Sequence, residues 1–391
     1  MEWTEEQKRE MYEDGVRSPH PAPSTPPRSS PAPRRPPPPL APSTLSDRRC
    51  REQFLIVRGI VPPELVGPAL EALESGAGGG DPRVLALLYD SPLCELLNAG
   101  LRGGAFNKVE GSQAGANGPR EPETHCKQTG WPELDPEAGD VDRGLSIPNF
   151  GWCGHVDGIW SGGSSAPQTR DDPNFDEAAF YSEPAVNGHM KEYGVGPDGC
   201  GVNLQLFSAL VGVSLSDQTR DGAGQIGVLK GAHLPLADFY SAQRAQGGPV
   251  GPGGPFWPRE DFNAPNGHGV RHYPDYLRDQ FPEHASYTSD GMRWPKPTFM
   301  KLMPGDAVLI LGHTPHAASR CTMDQGWPRM QCYFRATACW RDKGGDPEHI
   351  GKLIDTCCDP WLDWPPVAEY AERREAAEPR ISPIFGSQGK L

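Results

Sequence analysis

His155 and Asp157 are separated by one residue and flanked by glycines, in the sequence GHVDG at positions 154–158. An imidazole and a short carboxylate are both ligands for divalent transition metals. If this stretch is a β-strand, Cys153, His155 and Asp157 lie on one face, because successive side chains in a strand point to opposite sides. A His-x-Asp tripeptide also arises by chance, so it indicates a metal site only if the rest of the chain supplies a third ligand.

Two candidates for a third ligand, His313 and His316, follow the apolar run Ala307–Leu311. Two histidines and one carboxylate on neighbouring strands form the facial triad of a non-haem Fe(II) oxygenase, which leaves coordination positions for an organic cosubstrate and O₂. Either histidine satisfies this pattern. The one that is not a ligand can donate a hydrogen bond behind the metal or cap the loop.

A strand predicted to begin near Arg329 places Arg329, Gln331, Tyr333 and Arg335 on one face. A site of this kind needs a cation for the remote carboxylate of the cosubstrate. Arginine suits that role, because its planar fork forms paired, charge-assisted hydrogen bonds and it stays charged at working pH. For Arg335, a structural or solvated salt bridge is the simpler interpretation.

The elements that must hold these residues are predicted to be mainly β. Short apolar or β-branched runs broken by Gly and Pro are typical of an antiparallel sandwich or barrel. The clearest runs are Phe54–Arg58, Val202–Leu215, Gln225–Leu229, Phe299–Leu302, Ala307–Leu311 and Met330–Thr337. Two helices are predicted before the sheet, one opened by Pro62-Pro63 and continuing through Leu73, the other over Val84–Leu97.

Two long Gly/Pro-rich loops are predicted at 160–201 and 242–297. Loops of that length in a compact domain are usually functional or disordered. They are rich in aromatic residues, which suits a lid over a pocket and equally suits anchors that pin the loops to the barrel.

Composition divides the chain into four parts. Residues 1–16 are predicted to form an N-terminal helix of the catalytic domain, and 17–53 a disordered Pro/Arg-rich insertion that buries little apolar surface. Residues 54–345 form the predicted catalytic domain, and 346–391 a helical extension and tail.

The formal net charge of −14 provides no positive field for nucleic acid or an anionic membrane, so a small-molecule partner is expected.

The 10 cysteines are scattered, which favours reduced thiols in the cytoplasm over a disulfide framework. The N-terminal residues have no apolar signal sequence. Gly389-Lys390-Leu391 is one residue from a peroxisomal address, so a peroxisomal location is the alternative.

Several of these motifs, taken in order, resemble the phytanoyl-CoA dioxygenase family of Fe(II)/2-oxoglutarate-dependent oxygenases. The similar stretches are EEQKREMYEDG, FLIVRGIVPPELV, GHVDG, GVSLSDQTRDGAGQIGVLKGAHLP and PGDAVLILGHTPHAAS. The resemblance as a whole extends from Thr4 to about Trp340. Two features depart from the family pattern. Lys230-Gly231-Ala232-His233 replaces the usual Pro-Gly-Ser-His, and the long loops have no counterpart that can be aligned.

The resemblance implies a double-stranded β-helix, also called a jelly roll or cupin-like fold, with flanking α-helices. It implies that His155, Asp157 and His316 bind Fe(II), and that Arg329 binds 2-oxoglutarate. O₂ would then be used to hydroxylate a small organic substrate, because Asp157 supplies the carboxylate ligand that halogenating relatives lack. A non-catalytic metal-binding or small-molecule-binding jelly roll is the alternative, since one fold hosts many functions. The substrate and the oligomeric state stay open.

The remaining candidates have structural interpretations. Asp217 and Asp306 stand at strand ends, where Asp commonly makes turn hydrogen bonds. His233 follows a glycine-containing turn and is structural in the resembled family. For Cys153, a buried apolar thiol beside the site is favoured over a fourth ligand.

Overall fold

The structure of the protein is a computed structural model. It describes residues 2–9, 11, 53–117, 152, 156–157, 159–161, 200–202, 207–247, 250–251, 277, 281, 286–287, 293–294, 296–319, 321, 329–342 and 347–377. The helices in these ranges are, in chain order, α1 (Glu5–Arg9), α2 (Pro63–Glu74), α3 (Pro82–Tyr89), α4 (Pro92–Gly100), α5 (His233–Ala245), α6 (Pro347–Cys358) and α7 (Pro365–Ala377). Short 3₁₀ helices cover Cys339–Asp342 and Pro360–Asp363.

The strands of the described ranges form antiparallel sheets. They are β1 (Phe54–Val57), β2 (Gln113–Asn117), β3 (Ile159–Ser161), β4 (Cys200–Val202), β5 (Ala209–Ser214), β6 (Ile226–Val228), β7 (Ser286–Tyr287), β8 (Arg293–Trp294), β9 (Thr298–Phe299), β10 (Ala307–Leu311), β11 (His316–Ala318) and β12 (Arg329–Ala336). A five-stranded sheet has the order β1-β10-β5-β12-β2, and a three-stranded sheet the order β11-β6-β9. The other described strands form two pairs, β3-β4 and β7-β8.

The five-stranded sheet carries buried apolar side chains on both faces because it is covered on both sides. On one face, Leu55, Leu309, Val211 and Phe334 are aligned across four neighbouring strands and belong to the core that contacts the helices. On the other face, Phe54, Ile310 and Leu210 belong to a second core that includes Ile226 and Val228 of the three-stranded sheet. The two sheets therefore pack face to face. Each fully buried apolar side chain of this size contributes about 1.5–3 kcal/mol.

The sequence predictions agree with this architecture at the level of antiparallel sheets flanked by helices. Strand β10 has the predicted bounds, and β5, β6, β9 and β12 lie within or one residue beyond theirs. None of the described helices is long and apolar enough to cross a lipid bilayer.

The prediction of one helix over Val84–Leu97 is wrong, because the chain forms α3 and α4 instead. Pro92 cannot continue α3, since it has no N–H to donate. The Ser91 hydroxyl caps α4 by accepting a hydrogen bond from Leu93 N at 3.3 Å. Asp81 caps α3 in the same way, accepting from Arg83 N at 2.9 Å.

The two long loops are not wholly irregular. Strands β3 and β4 pair across the ends of the first loop, with Ile159 opposite Val202. Helix α5, which is not among the predicted elements, extends into the second loop as far as Ala245. Its buried residues recur at helical spacing, and that spacing is the signal for this helix in the sequence. They are His233, Leu236, Ala237, Phe239, Tyr240 and Gln243.

The end of the proposed insertion belongs to the fold. Gln53 is fully buried, and its amide donates to the Leu229 carbonyl oxygen at 2.6 Å. Its Oε1 accepts from Gly231 N at 2.6 Å and lies 2.9 Å from His233 Nδ1. Residues 17–52 lie outside the described residues, so the prediction of disorder there stays a prediction.

The N-terminal and C-terminal helices pack on the same side of the molecule. Trp3, just before α1, donates from its indole N–H to the Leu96 carbonyl oxygen at 2.9 Å and meets Trp364 edge to face. In the C-terminal part, buried Arg341 forms an ion pair with buried Asp363 at 2.9 Å. This ion pair joins the predicted C-terminal extension to the segment that follows β12.

Candidate functional site

His316 opens strand β11 and is buried. It pairs with Val228 of β6, which belongs to the core between the sheets, so His316 lies on the face that is turned towards the five-stranded sheet. Its Nδ1 lies 2.8 Å from the Thr314 carbonyl oxygen. Because a carbonyl oxygen only accepts hydrogen bonds, Nδ1 carries the ring proton in this contact, and Nε2 of the neutral ring is an acceptor. A histidine held in this way through its other nitrogen is typical of metal ligands.

Asp157 lies beside His316, although the two residues come from distant parts of the sequence. The Asp157 Oδ2 atom is 3.8 Å from His316 Nε2. Metal bonds to imidazole nitrogen and carboxylate oxygen are about 2.0–2.2 Å long, so two donor atoms less than about 4 Å apart can share one ion. The pair therefore fits two ligands of one divalent metal in donor type and in separation.

His155, the other predicted ligand, lies outside the described residues, as does Cys153. Within the described part of the chain, no group of three His, Cys, Asp or Glu side chains could hold a metal. The predicted three-residue ligand set therefore stays a prediction, and the structure brings together two of its members. The strand that would place Cys153, His155 and Asp157 on one face does not include Val156 and Asp157, which precede β3, with Asp157 in a turn.

His313 does not share the environment of His316. It follows β10 by two residues and is buried against the helices, with its Nε2 3.9 Å from Cys357 Sγ of α6. The Tyr240 ring of α5 meets it edge to face. Burial, together with the nearby positive charge of Arg341, lowers the pKa of His313 to about 3. His313 thus stays neutral and links the turn before His316 to the C-terminal helices.

Arg329 begins strand β12 and is only 2% exposed. Its Nη2 donates to the Tyr333 hydroxyl and lies 3.5 Å from Gln331 Oε1. Among the described residues, its Nε has no hydrogen-bond partner and no carboxylate forms an ion pair with it. A buried charge without a counter-charge is costly, so the geometry favours an anionic ligand at this position.

Gln331 and Tyr333 add further polar groups beside Arg329. The buried Gln331 Nε2 also has no hydrogen-bond partner in the described part of the chain. Burial raises the pKa of the Tyr333 hydroxyl, which therefore keeps its proton and can donate it. Arg329, Gln331 and Tyr333 thus place several donors at one end of the interior. The strand pattern of the sequence predicts that all three lie on one face, as they do in the structure, but it indicates no role for Gln331 and Tyr333.

Two glycines make room for these long polar side chains between the sheets. A Cβ on Gly212 would come within 2.6 Å of Gln331 Nε2 and 3.0 Å of the Tyr333 ring. A Cβ on Gly224 would come within 3.0 Å of Arg329 Cδ, and the φ of +76° at Gly224 also disfavours any other residue. The absence of side chains at Gly212 and Gly224 thus leaves the space that Arg329, Gln331 and Tyr333 occupy.

Arg335 lies at the other end of the same face of β12. Its Nη2 forms an ion pair with Asp157 Oδ2 at 3.2 Å. The predicted salt bridge of Arg335 is therefore present, and its partner is the predicted metal ligand.

The structural interpretations of the other polar residues agree with their contacts. Asp306 accepts from Gly59 N and Met303 N, both at 2.8 Å, and pairs with Arg58 at 2.6 Å. Asp217 accepts from the backbone N and the hydroxyl of Thr219 in a turn. Buried His233 contacts Gln53 at the start of α5 and so helps to hold that helix.

No family profile matches the chain, and no curated protein matches it. Among solved structures, it is similar to SnoK, a non-heme alpha ketoglutarate dependent carbocyclase from nogalamycin biosynthesis, at 16% identity and a TM-score of 0.31, covering 73% of this chain and 80% of SnoK. HygX from Streptomyces hygroscopicus, solved with nickel and 2-oxoglutarate bound, has 14% identity and a TM-score of 0.24, with 72% and 81% covered. GlcNAc Inducible Gene 2 from Candida albicans has 9% identity and a TM-score of 0.36, with 84% of each chain covered. At this level of likeness, inference about function rests on the geometry of the chain itself.

Proposed function

We propose that the protein is a non-haem Fe(II)/2-oxoglutarate-dependent dioxygenase that hydroxylates a small organic substrate. In this reaction one oxygen atom of O₂ enters the substrate, and the other enters succinate as 2-oxoglutarate loses CO₂. The observation that carries the proposal is a candidate metal-binding pair together with a candidate anion-binding arginine. An imidazole and a carboxylate meet at 3.8 Å, and on the facing sheet a buried arginine has no counter-charge among the described residues.

His155, Asp157 and His316 would hold the iron. When bound, Fe(II) with 2-oxoglutarate supplies the oxygen-activating chemistry, which side chains alone cannot provide. The protein positions the ligands. The Thr314 carbonyl oxygen fixes the His316 ring through Nδ1, so that Nε2 faces the carboxylate of Asp157.

Arg329 would bind the remote carboxylate of 2-oxoglutarate. Its Nε and the neighbouring Gln331 Nε2 are buried donors, and leaving such groups unsatisfied costs about 1–3 kcal/mol each. A carboxylate can accept from both and can neutralise the guanidinium. The Tyr333 hydroxyl, which accepts from Arg329, can direct its own proton to the same anion.

The apolar residues around this face would exclude water from the reaction. Phe207, Leu210 and Val228 are buried in the core between the sheets. We further propose that the two sheets belong to a complete double-stranded β-helix, as in the phytanoyl-CoA dioxygenase family, and that the protein acts in the cytoplasm on a small molecule.

The test is to incubate the purified chain with Fe(II), 2-oxoglutarate and O₂ and to measure succinate by NMR, alone and with a panel of acyl thioesters, terpenoids, alkaloids and amino-acid derivatives. We expect succinate formation that requires Fe(II), is stimulated by the true substrate and is lost in Asp157→Ala. A protein that binds metal and 2-oxoglutarate but never forms succinate would instead be a non-catalytic binding jelly roll.

A further inference from the structure

The orientation of the Asp157 carboxylate depends on side-chain contacts. Asp157 lies in a turn ahead of β3, so no strand ladder fixes its backbone. Its side chain is 19% exposed, and its Oδ2 faces both His316 and Arg335. The same oxygen atom is 3.8 Å from His316 Nε2 and 3.2 Å from Arg335 Nη2. Arg335 therefore contacts the ligand pair at the carboxylate oxygen that faces the imidazole.

Arg335 itself is held by a rigid element. It lies on β12 and pairs with Leu210 of β5, inside the five-stranded sheet. Its guanidinium carbon lies 5.5 Å from the centre of the Phe207 ring, which is buried, and a cation over an aromatic face is attracted by the ring. Strand β12 and the Phe207 ring thus hold the Arg335 side chain in place, and its ion pair in turn positions the carboxylate of Asp157.

We propose that Arg335 is a positioning residue of the metal centre, which holds the Asp157 carboxylate beside His316 before the metal binds. The inference rests on the proposed function and adds a role that differs from that of Arg329. Arg329 is buried and has no counter-charge among the described residues, whereas Arg335 is half-exposed and already paired with a carboxylate. Partners that orient metal ligands affect metal affinity by about 10–100-fold.

The experiment is calorimetric titration of the full chain with Mn(II), without substrate or turnover. We expect Arg335→Met to weaken Mn(II) binding by about 10-fold or more. Arg335→Lys should weaken it less, because lysine keeps the charge but loses the planar fork and the stacking on Phe207. Bound Co(II) gives a second readout, since a displaced carboxylate changes its visible absorption. Thermal unfolding of each variant checks that the fold is retained.

Two further variants separate this role from a general effect. Arg244→Met removes an arginine from another exposed ion pair, with Asp355, and should leave Mn(II) binding unchanged. Phe207→Leu removes the ring beneath the guanidinium, and should weaken binding in the parent chain but add little in Arg335→Met. That non-additivity is expected if the ring acts through Arg335.

Three results would overturn the inference. If Asp157→Ala loses Mn(II) binding while Arg335→Met binds as tightly as the parent, the metal site stands and the role of Arg335 is wrong. Tighter binding in Arg335→Met would mean that the arginine competes with the metal. If Asp157→Ala binds Mn(II) as well as the parent, the proposed metal site fails, and the role of Arg335 fails with it.

Discussion

Among the described residues, the environment of Arg329 gives the clearest indication of a bound anion. It is 2% exposed, its Nε has no hydrogen-bond partner among the described residues, and the two side chains that its Nη2 contacts, Gln331 and Tyr333, are neutral. A structural arginine in an interior normally pairs with a carboxylate, as Arg341 does with Asp363. This contrast is the reason that we propose a binding role for Arg329 and a structural role for Arg341.

We expect Arg329→Lys to weaken 2-oxoglutarate binding by about 1–3 kcal/mol, because lysine keeps the charge but cannot form the paired hydrogen bonds of the guanidinium. The measurement is titration of the Mn(II)-loaded protein with 2-oxoglutarate. Mn(II) affinity itself should change little. Arg102→Lys, a change at an exposed arginine stacked on Trp340, is the matched control. Unchanged 2-oxoglutarate affinity in Arg329→Lys would remove this residue from the proposed site.

The predicted ligands should be individually essential. We expect His155→Ala, Asp157→Ala and His316→Ala each to lower Fe(II)-dependent succinate formation by at least about 100-fold, because loss of a ligand removes geometry as well as affinity. His313→Ala should retain activity, since its ring lies 3.9 Å from Cys357 Sγ and so faces the helical layer. The assay with added Fe(II) checks all four variants. An active His316→Ala with an inactive His313→Ala would reverse the assignment.

At the scale of elements, the turn between β10 and β11 joins the site to the C-terminal helices. His313, in this turn, contacts Cys357 of α6 and Tyr240 of α5, and Arg341 supplies a positive charge nearby. Burial raises the pKa of Cys357 to about 12, so its thiol stays protonated. Cys357, Tyr240 and Arg341 therefore offer no negative charge that would stabilise a protonated His313 ring. The ring is held neutral.

Because His313 is buried as a neutral ring, its contribution to the free energy of unfolding depends on pH. The pKa of His313 is about 3 in the folded chain and 6.5 for an unperturbed histidine, so between these values the unfolded chain binds the extra proton. The contribution of neutral His313 is complete above pH 6.5 and is lost as pH falls from 6.5 towards 3, by up to about 1.4 kcal/mol per pH unit. We expect His313→Gln to flatten the dependence of unfolding free energy on pH in this window. Urea unfolding at several pH values checks it, and equal slopes for both proteins in the acidic part of the window would contradict it.

Local sequence signals predicted some elements better than others. Strand β10 was predicted with its true bounds because a continuous apolar run follows a Pro-Gly-Asp turn. The division between α3 and α4 was missed because apolar periodicity continues across it, although Ser91-Pro92 is a start signal for a helix. Helix α5 has a weak start signal in the sequence, because Ala232 at its N-cap makes no side-chain hydrogen bond.

At the scale of the whole molecule, Gln53 marks where the chain after the Pro-rich segment joins the fold. Its side chain satisfies the Leu229 carbonyl oxygen and Gly231 N, on the connection between β6 and α5. The prediction that this residue belongs to a disordered insertion rests on composition, which does not reveal a contact 176 positions away.

We expect removal of Arg17–Glu52, with Val16 joined to Gln53, to leave thermal stability and succinate formation unchanged, because that segment has few large apolar side chains to bury. Removal of one residue more, Gln53, should cost about 1–3 kcal/mol for each buried group left unsatisfied. Thermal and urea unfolding of the two deletion variants provide the comparison. Equal stability of the two variants would show that the Gln53 contacts contribute nothing.

The candidate site was predictable in its residue types and only partly in its arrangement. The spacing of His155 and Asp157 and the two later histidines could be read from the sequence. The choice between His313 and His316 depends on which of them faces the space between the sheets, and that is set by the turn after Leu311. The ion pair of Arg335 with Asp157 depends on the packing of a loop against a strand 178 positions away.

That separation also bears on how the protein reaches its native state. Asp157 and Arg335 are 178 positions apart, so their segments meet only after much of the intervening chain is ordered. A metal held by these segments would gain its full set of contacts late in folding. Interactions that form after the transition state slow unfolding and hardly change the folding rate. A bound ion would therefore lower the unfolding rate and lengthen the lifetime of the folded chain. The folding rate would be nearly the same with and without the ion.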